Sequence, residues 1–371
     1  MKLVMTILVR DEADIIDAQL AFHLNAGVDF VLATDNGSVD GTVDILEAYA
    51  RDGYLHLLRE PGGDYRQLEW VTRMARLAAT DFGADWVINS DADEFWWPRG
   101  GSLRDVLAAV PERFGIVPAF NRDFLPRPFD GGFFAERMTA RLSPHAPVND
   151  PAGPYRPRPK VVHRADRHVF VARGAHALVN SAFEPLRTWH PIEALHFPIR
   201  SPEQSDHKAM LQWQGFVGTA RGYGTGYHAK AYQARSEGWS GEYYRSLSVD
   251  DETLARGVAD GILTIDTRLR DALRALRLTP SETPDDLEGG SPAGHLRRFA
   301  LPGSADARLD FTARSVADEA GVAADAAVLS EAASVRRLRQ LDALEARLGP
   351  SSAPGLATML RGLARRRRVV G

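Results

Sequence analysis

The sequence predicts an α/β protein, a mostly parallel sheet with helices on both faces, followed by a helical C-terminal extension. Three observations predict it. Over the first hundred residues, short apolar runs alternate with stretches whose apolar residues recur every three or four positions. Polar residues gather just after those runs, and beyond Arg200 the chain turns polar with helical spacing. Alternation of this kind is the pattern of βαβ units, whose crossovers lay helices on both faces of a parallel sheet.

The elements follow in order. "KLVMTILV" is an apolar run of strand length, and "EADIIDAQLAFHLNAG" keeps Ile15, Ile16, Leu20 and Leu24 at helical spacing with Gly27 as a stop. "DFVLATD" predicts a second strand, "SVDGTVDILEAYARDG" a turn and helix with Val43, Leu46 and Ala50 on one face, and "YLHLLRE" a third strand. "RQLEWVTRMARLAATDFG" predicts a helix and "DWVINS" a fourth strand. From Val117 to Lys160 nine of the 22 prolines accumulate beside five phenylalanines, which predicts a long irregular excursion of the lid or binding-loop kind. "PKVVHR" and "ALHFPIR" then read as short strands returning to the sheet. Expected domains are an alternating α/β unit over 1–205, a helical and aromatic extension over 206–285, and a linker with an Ala/Arg-rich tail over 286–371.

With 371 residues, 44% hydrophobic and 25% charged, the chain affords a sizeable core, which excludes wholesale disorder. A net charge of -4 gives no reason to expect nucleic acid as a partner. The absence of cysteine removes disulfide scaffolds, thiolate zinc sites and cysteine nucleophiles. The apolar start is too short for a signal peptide, and no run approaches the roughly 18 apolar residues of a membrane span, so a soluble cytoplasmic protein is expected. The stripe at Val335, Leu338, Leu341, Leu344 and Leu348 and the closing "RRRR" read as a solvated helix with a basic tail, or as a peripheral membrane or oligomer contact.

In open α/β sheets ligands sit at the carboxyl ends of the strands, and there the polar residues collect: Arg10 to Glu12, Asp35 to Ser38, and Asp91 to Glu94. Some of these acids also read as helix caps. Carboxylates crowded after an apolar strand repel one another unless a positive charge sits among them. If the segment is extended, Asp91 and Asp93 share a face about 6–7 Å apart, and hard oxygen donors suit Mg²⁺ or Mn²⁺ carrying a diphosphate. A calcium loop is excluded, because its glycine and distant glutamate are missing.

"MTILVRDEADII", "TDNGSVDGT", "YRQLEWVTRMA", "WVINSDADEFW" and "LHFPIRS" together resemble glycosyltransferase family 2, in its non-processive branch with a D-x-D-E-F signature, over about residues 1–205. The resemblance implies a GT-A fold, a nucleotide-diphosphate sugar donor, a divalent metal (Mn²⁺ or Mg²⁺) and transfer with inversion to a glycan or other hydroxyl acceptor. It implies Arg10 and Glu12 near the nucleoside, Asp35, Asn36 and Ser38 around the base, and Arg66 near the donor. Asp91 and Asp93 would face ribose and metal, with His196 as a third metal ligand. Read alone, His196 is a histidine in an apolar strand and equally suits the core.

Inverting transfer needs a carboxylate to take the acceptor proton and cations to spread the leaving diphosphate's charge. Glu136 is the first candidate base, Asp123 the second and Asp166 the third; Arg66, Lys160 and Arg200 are the candidate cations, though each also reads as an ordinary surface charge. Trp96, Trp97, Phe124 and Phe129 are candidates for stacking on an acceptor ring, or for core and lid packing. The R-W element of processive synthases is absent, so a single-sugar transfer is expected. The alternatives are a sugar-phosphate nucleotidyltransferase, whose glycine-rich loop "VRDEAD" does not supply, and a catalytically silent nucleotide- or glycan-binding module.

Overall fold

The structure is a computed structural model that describes residues 1–60, 66–143, 159–179, 181–187, 189–216, 227–278, 298–302, 309 and 311. The C-terminal stripe, the basic tail and most of the linker lie outside them. The first half follows the predicted alternation: β1 (Leu3–Val9), α1 (Ile16–Asn25), β2 (Phe30–Asp35), α2 (Thr42–Arg51), β3 (Leu55–Arg59), α3 (Gln67–Thr80) and β4 (Trp86–Asp91). Strands β3, β2, β1 and β4 lie side by side in that order, all parallel.

Strand alternation separates two cores. Leu3, Met5, Ile7 and Val9 of β1 pack with α1 and α2 on one face, whereas Val4 packs with Met74, Ala75 and Ala78 of α3 on the other. Helices therefore cover both faces, and the observed class is the expected one, mixed α/β with a mostly parallel sheet. Helix α1 is buried along nine of its ten residues because the chain returns to cover its outer side. Asp17 on that side accepts hydrogen bonds from the Tyr49 hydroxyl (2.7 Å) and the Arg298 backbone N–H (2.7 Å). The predicted stop at Gly27 is real: its φ of +109° is costly for a side chain, and a Cβ there would sit 3.2 Å from that of Ser102.

After β4 the order is β5 (Glu94–Pro98), α4 (Leu103–Ala108), β6 (Phe114–Asp123), α5 (Phe134–Arg137), β7 (Ala140–Leu142), β8 (Pro159–Arg164), β9 (Glu184–Pro185) and β10 (Ile192–His196). The sheet continues β4-β8-β6-β10-β5, with β9 beside β6. Strands β6 and β10 run with β4, whereas β8 and β5 run against it. Since Asp91 and Glu94 are three residues apart, their Cα atoms lie within about 11 Å. The sheet must therefore curl until edge strand β5 returns beside the end of β4. Strand β6 makes the curl by serving two neighbours, pairing with β8 over Ile116–Phe120 and with β10 over Phe120–Asp123.

Two expectations are corrected. Val117 to Asp123 is regular strand: Pro118 falls between the pairings of β6 with β9 and with β10, where a missing N–H costs least. Of that proline-rich stretch, 144–158 lies outside the described residues. The boundary expected at 205 falls inside α6 (Pro202–Phe216), which is followed by α7 (Tyr227–Ser236), α8 (Ser240–Leu247), α9 (Asp251–Ala259), β11 (Leu263–Ile265) and α10 (Arg268–Leu276). No helix among the described residues is long and apolar enough to cross a membrane.

A buried ionic network ties this later part to the sheet. Glu193 on β10 accepts from Arg122 Nε (2.7 Å) and Arg268 Nη1 (2.7 Å), while Asp266 accepts from Arg268 Nη2 (2.7 Å) and Arg141 Nε (2.7 Å). Burial works to raise the Glu193 carboxyl, but Arg122, Arg268 and Arg141 outweigh it and hold it well below the usual range. Removing one partner strands buried charge, so Glu193→Ala is expected to cost about 3–5 kcal/mol, read from the urea midpoint.

Candidate active site

Strand direction explains how the site assembles. The parallel strands deliver their C-terminal residues to one edge: Arg10 to Glu12 from β1, Asp35 to Ser38 from β2, Asp91 from β4, Asp123 from β6 and His196 from β10. Strands β5 and β8 run the other way, so Glu94, the first residue of β5, and Lys160, the second of β8, reach the same edge. Asp166, just past the far end of β8, belongs to the opposite edge, which removes it as a candidate base.

The strand after which the acids crowd ends at Asp91, and Ala92 and Asp93 form a turn. The extended geometry expected for Asp91 and Asp93 is thus replaced by a reversal, and the two carboxylates meet different partners. Asp91 Oδ2 lies 2.7 Å from Lys160 Nζ, which is also 2.6 Å from Glu94 Oε1. Asp93 takes an ion pair from Lys208 on α6, and its Oδ1 lies 3.6 Å from His196 Nε2. His196 Nδ1 donates to Asp123 Oδ1 at 2.7 Å. Arg200 bonds Glu12 and Asp14, with Nε 2.6 Å from Asp14 Oδ2. The positive charge that these acids require therefore comes from the chain's own side chains.

Six carboxylates (Glu12, Asp14, Asp91, Asp93, Glu94 and Asp123) meet four cationic groups (Lys160, Lys208, Arg200 and the His196 imidazolium), and burial and the neighbouring charges together set the proton affinities. Burial, opposed by Arg200, raises Glu12 to about 7, and burial, opposed by Lys160, raises Glu94 to about 7. Burial works against Asp93 as well, but Lys208 and His196 outweigh it and hold Asp93 well below the usual range. His196 goes up to about 10: burial opposes its charge, and Asp93 and Asp123 prevail.

Among the described residues no group of three or more His, Cys, Asp or Glu side chains is arranged to hold a metal ion. The three-ligand set expected from Asp91, Asp93 and His196 is not assembled, because Asp91 turns to Lys160. What remains is a facing pair, Asp93 Oδ1 and His196 Nε2, with Asp123 behind the ring. A carboxylate on the second ring nitrogen is the arrangement that orients metal-binding histidines, and Mg²⁺ or Mn²⁺ commonly takes few protein ligands beside diphosphate and water. The donor pair fits such an ion; Asp91 is outside it.

The β1 and β2 exits are bound together. Asp11 adopts a left-handed backbone (φ +54°), held by Val39 N–H donating to its Oδ1 (2.7 Å), by its own N–H on Ser38 Oγ (2.9 Å) and by His207 Nε2 at 2.7 Å. Asp35 accepts from the N–H groups of Gly37 (3.1 Å) and Ser38 (3.3 Å), and Asn36 Nδ2 donates to the Glu60 carbonyl (3.2 Å). Arg10 lies at this rim with Nε 3.9 Å from Asp11.

Other expected residues are elsewhere. Glu136 is clasped by Arg274 and Arg277, so its carboxylate is committed outside the cluster. Arg66 is exposed beside Glu69. Lys160, expected as a donor-binding cation, is buried between two carboxylates. Trp96, Trp97 and Phe124 are core, whereas Phe129 is exposed under the Arg137 guanidinium.

Sequence reasoning missed Lys208, Asp14 and His207. A signal for Lys208 existed: Ser201-Pro202-Glu203-Gln204 reads as a capped helix start, and Gln204 and Lys208 are four residues apart on one helical face.

A raised His196 contributes stability fully present below about 6.5 and lost as pH rises toward 10. Metal-free protein should thus show imidazolium resonances for His196 at pH 8, and its urea midpoint should fall between pH 7 and 10, less steeply in His196→Gln.

No family model and no curated protein matches the chain. Among solved structures, TarS 1-349 of S. aureus is 14% identical over 68% of this chain and 76% of its own, with a TM-score of 0.31. The same protein in complex with UDP gives 15%, 66%, 72% and 0.32. Glucosyl-3-phosphoglycerate synthase from Mycobacterium tuberculosis, in complex with Mn²⁺, UDP and glucosyl-3-phosphoglycerate, is 19% identical over 33% of this chain, with a TM-score of 0.24. The chain spans 44% of that synthase. At TM-scores this low the likeness does not reach the side chains of the site.

Proposed function

We propose that the chain is a glycosyltransferase that moves a single sugar from a nucleotide-diphosphate donor to an acceptor hydroxyl with inversion. The observation that carries the reading is the convergence, at the carboxyl edge of a mostly parallel sheet, of Asp93, His196 and Asp123 with a polar rim from β1 and β2. That edge is where such sheets bind nucleotides.

In this reading the rim of Arg10, Asp35, Asn36 and Ser38 receives the nucleoside, with Glu12 beneath it. Asp93 and His196 would hold Mn²⁺ or Mg²⁺, which when bound supplies positive charge to the donor's diphosphate. Asp123 replaces Glu136 as the candidate base. Its Oδ1 is fixed by His196, and among the described residues its Oδ2 has no hydrogen-bond partner, leaving a lone pair for the acceptor proton. As the acceptor oxygen bonds to the anomeric carbon, its proton passes to Asp123. The bond from that carbon to the diphosphate breaks, and its electron pair leaves with the phosphate oxygen. Lys160 and Arg200 stay with their carboxylates and keep the edge from repelling itself apart.

The test is calorimetry with a panel of nucleotide sugars and Mn²⁺, followed by an assay for nucleoside diphosphate release. At least one donor should bind and leak sugar to water. Asp123→Asn should lower kcat by about 10²–10⁴-fold, Asp93→Ala should abolish turnover, and Glu136→Gln should leave turnover within twofold. Binding without release would make the chain a silent binding module, and no binding to any donor would end the reading.

A further inference from the structure

The site holds three permanent cations in three different situations. Arg200 has 1% of its side-chain surface exposed and every edge of its guanidinium used, with bonds to Glu12, to both oxygens of Asp14 and to the Phe197 carbonyl (3.1 Å). Lys160 has 3% exposed and lies between Asp91 and Glu94. Lys208 has 28% exposed and bonds one carboxylate, Asp93. Glu12 Oε1, at 4.0 Å, is beyond hydrogen-bond reach. An ammonium has three N–H donors, so Lys208 keeps two without an acceptor among the described residues.

From this contrast we propose that Lys208 is a donor-binding residue that grips the diphosphate, whereas Lys160 and Arg200 only neutralise the acids around it. The proposal rests on the glycosyltransferase reading and deepens it by assigning the cation that meets the leaving group.

The backbone beneath Lys208 is built to aim it. Helix α6 starts at a fixed point, where Gln204 N–H donates to Ser201 Oγ (3.0 Å) and Gln204 Oε1 accepts from the Arg200 N–H (3.0 Å). Pro202 occupies the first helical position, where its missing N–H costs nothing. One turn on, His207 is tied to Asp11 at the β1 exit (2.7 Å). Anchors at 204 and 207, in the turn that leads into position 208, set the direction of its stem, while four rotatable bonds let the ammonium move from Asp93 to a phosphate oxygen nearby. A lysine suits this exchange because it acts as a point charge, needing no planar partner.

Pairing allows the same exchange. Lys208 holds a single carboxylate, that of Asp93, in the ligand-free protein. A diphosphate seated beside Asp93 offers Lys208 several acceptors for the one it holds now, and the Asp93 oxygen then faces the donor's cation.

The experiment uses the full-length protein and its Lys208→Met and Lys208→Arg variants. Calorimetry with Mn²⁺ compares UDP, GDP, ADP and TDP with their parent nucleosides. Expected is a loss of about 10–100-fold in affinity for the preferred diphosphate in Lys208→Met, the size of a charged hydrogen bond, with nucleoside affinity unchanged and partial recovery in Lys208→Arg. Reductive methylation of the wild-type protein gives an independent readout, in which the diphosphate and not the nucleoside should protect Lys208. An unchanged diphosphate affinity, an equal loss for nucleoside and diphosphate, or methylation of Lys208 indifferent to the diphosphate would overturn the proposal and leave the glycosyltransferase reading standing. If the wild-type protein bound no diphosphate, that reading would fall and take this one with it.

Discussion

Acidic side chains crowded along a half-buried sheet edge demand counter-charge, and the rest of this structure answers that demand. Two strands reverse direction, and their reversal brings Lys160 and Glu94 to the edge where the parallel strands end. Helix α6 leaves that edge directly after β10 and returns Lys208 to it, while Arg200, between strand and helix, is spent on Glu12 and Asp14. The cluster is therefore a network in which each cation is shared or placed differently, and Glu12 and Glu94 are raised to about 7 because burial outweighs the cations beside them.

The alternating first half was legible in the sequence because local periodicity decides it. Runs such as "KLVMTILV" can only be buried strand, and each predicted strand and helix up to Asp91 is present. The edge bearing the site was legible for the same reason, since the direction of parallel strands fixes which ends collect. Individual partners were not. Periodicity cannot show that Asp91 ends a strand and that a turn separates it from Asp93, nor that β8 inserts between β4 and β6 and brings Lys160 to Asp91. Glu136 ranked ahead of Asp123 in the sequence because nothing there shows that Arg274 and Arg277, about 140 residues later, claim it. The phenylalanines and prolines after Val117 suggested a loop, but Pro118 sits where β6 changes partners.

The later helices are also less separable than their composition suggests. Arg268 bridges Glu193 on β10 and Asp266 ahead of α10, and Leu269, Leu273 and Leu276 join the core that includes α1. Helix α6 belongs to the strand-end edge as much as to the helical part.

Strand β6 has one further consequence. Because its first half closes the ladder with β8 and its second half the ladder with β10, Lys160 of β8, Asp123 of β6 and His196 of β10 are held in register by a single length of backbone. Slippage of one ladder by a residue would turn Asp123 toward the opposite face and away from His196, so the Asp123–His196 contact and the sheet register are the same property.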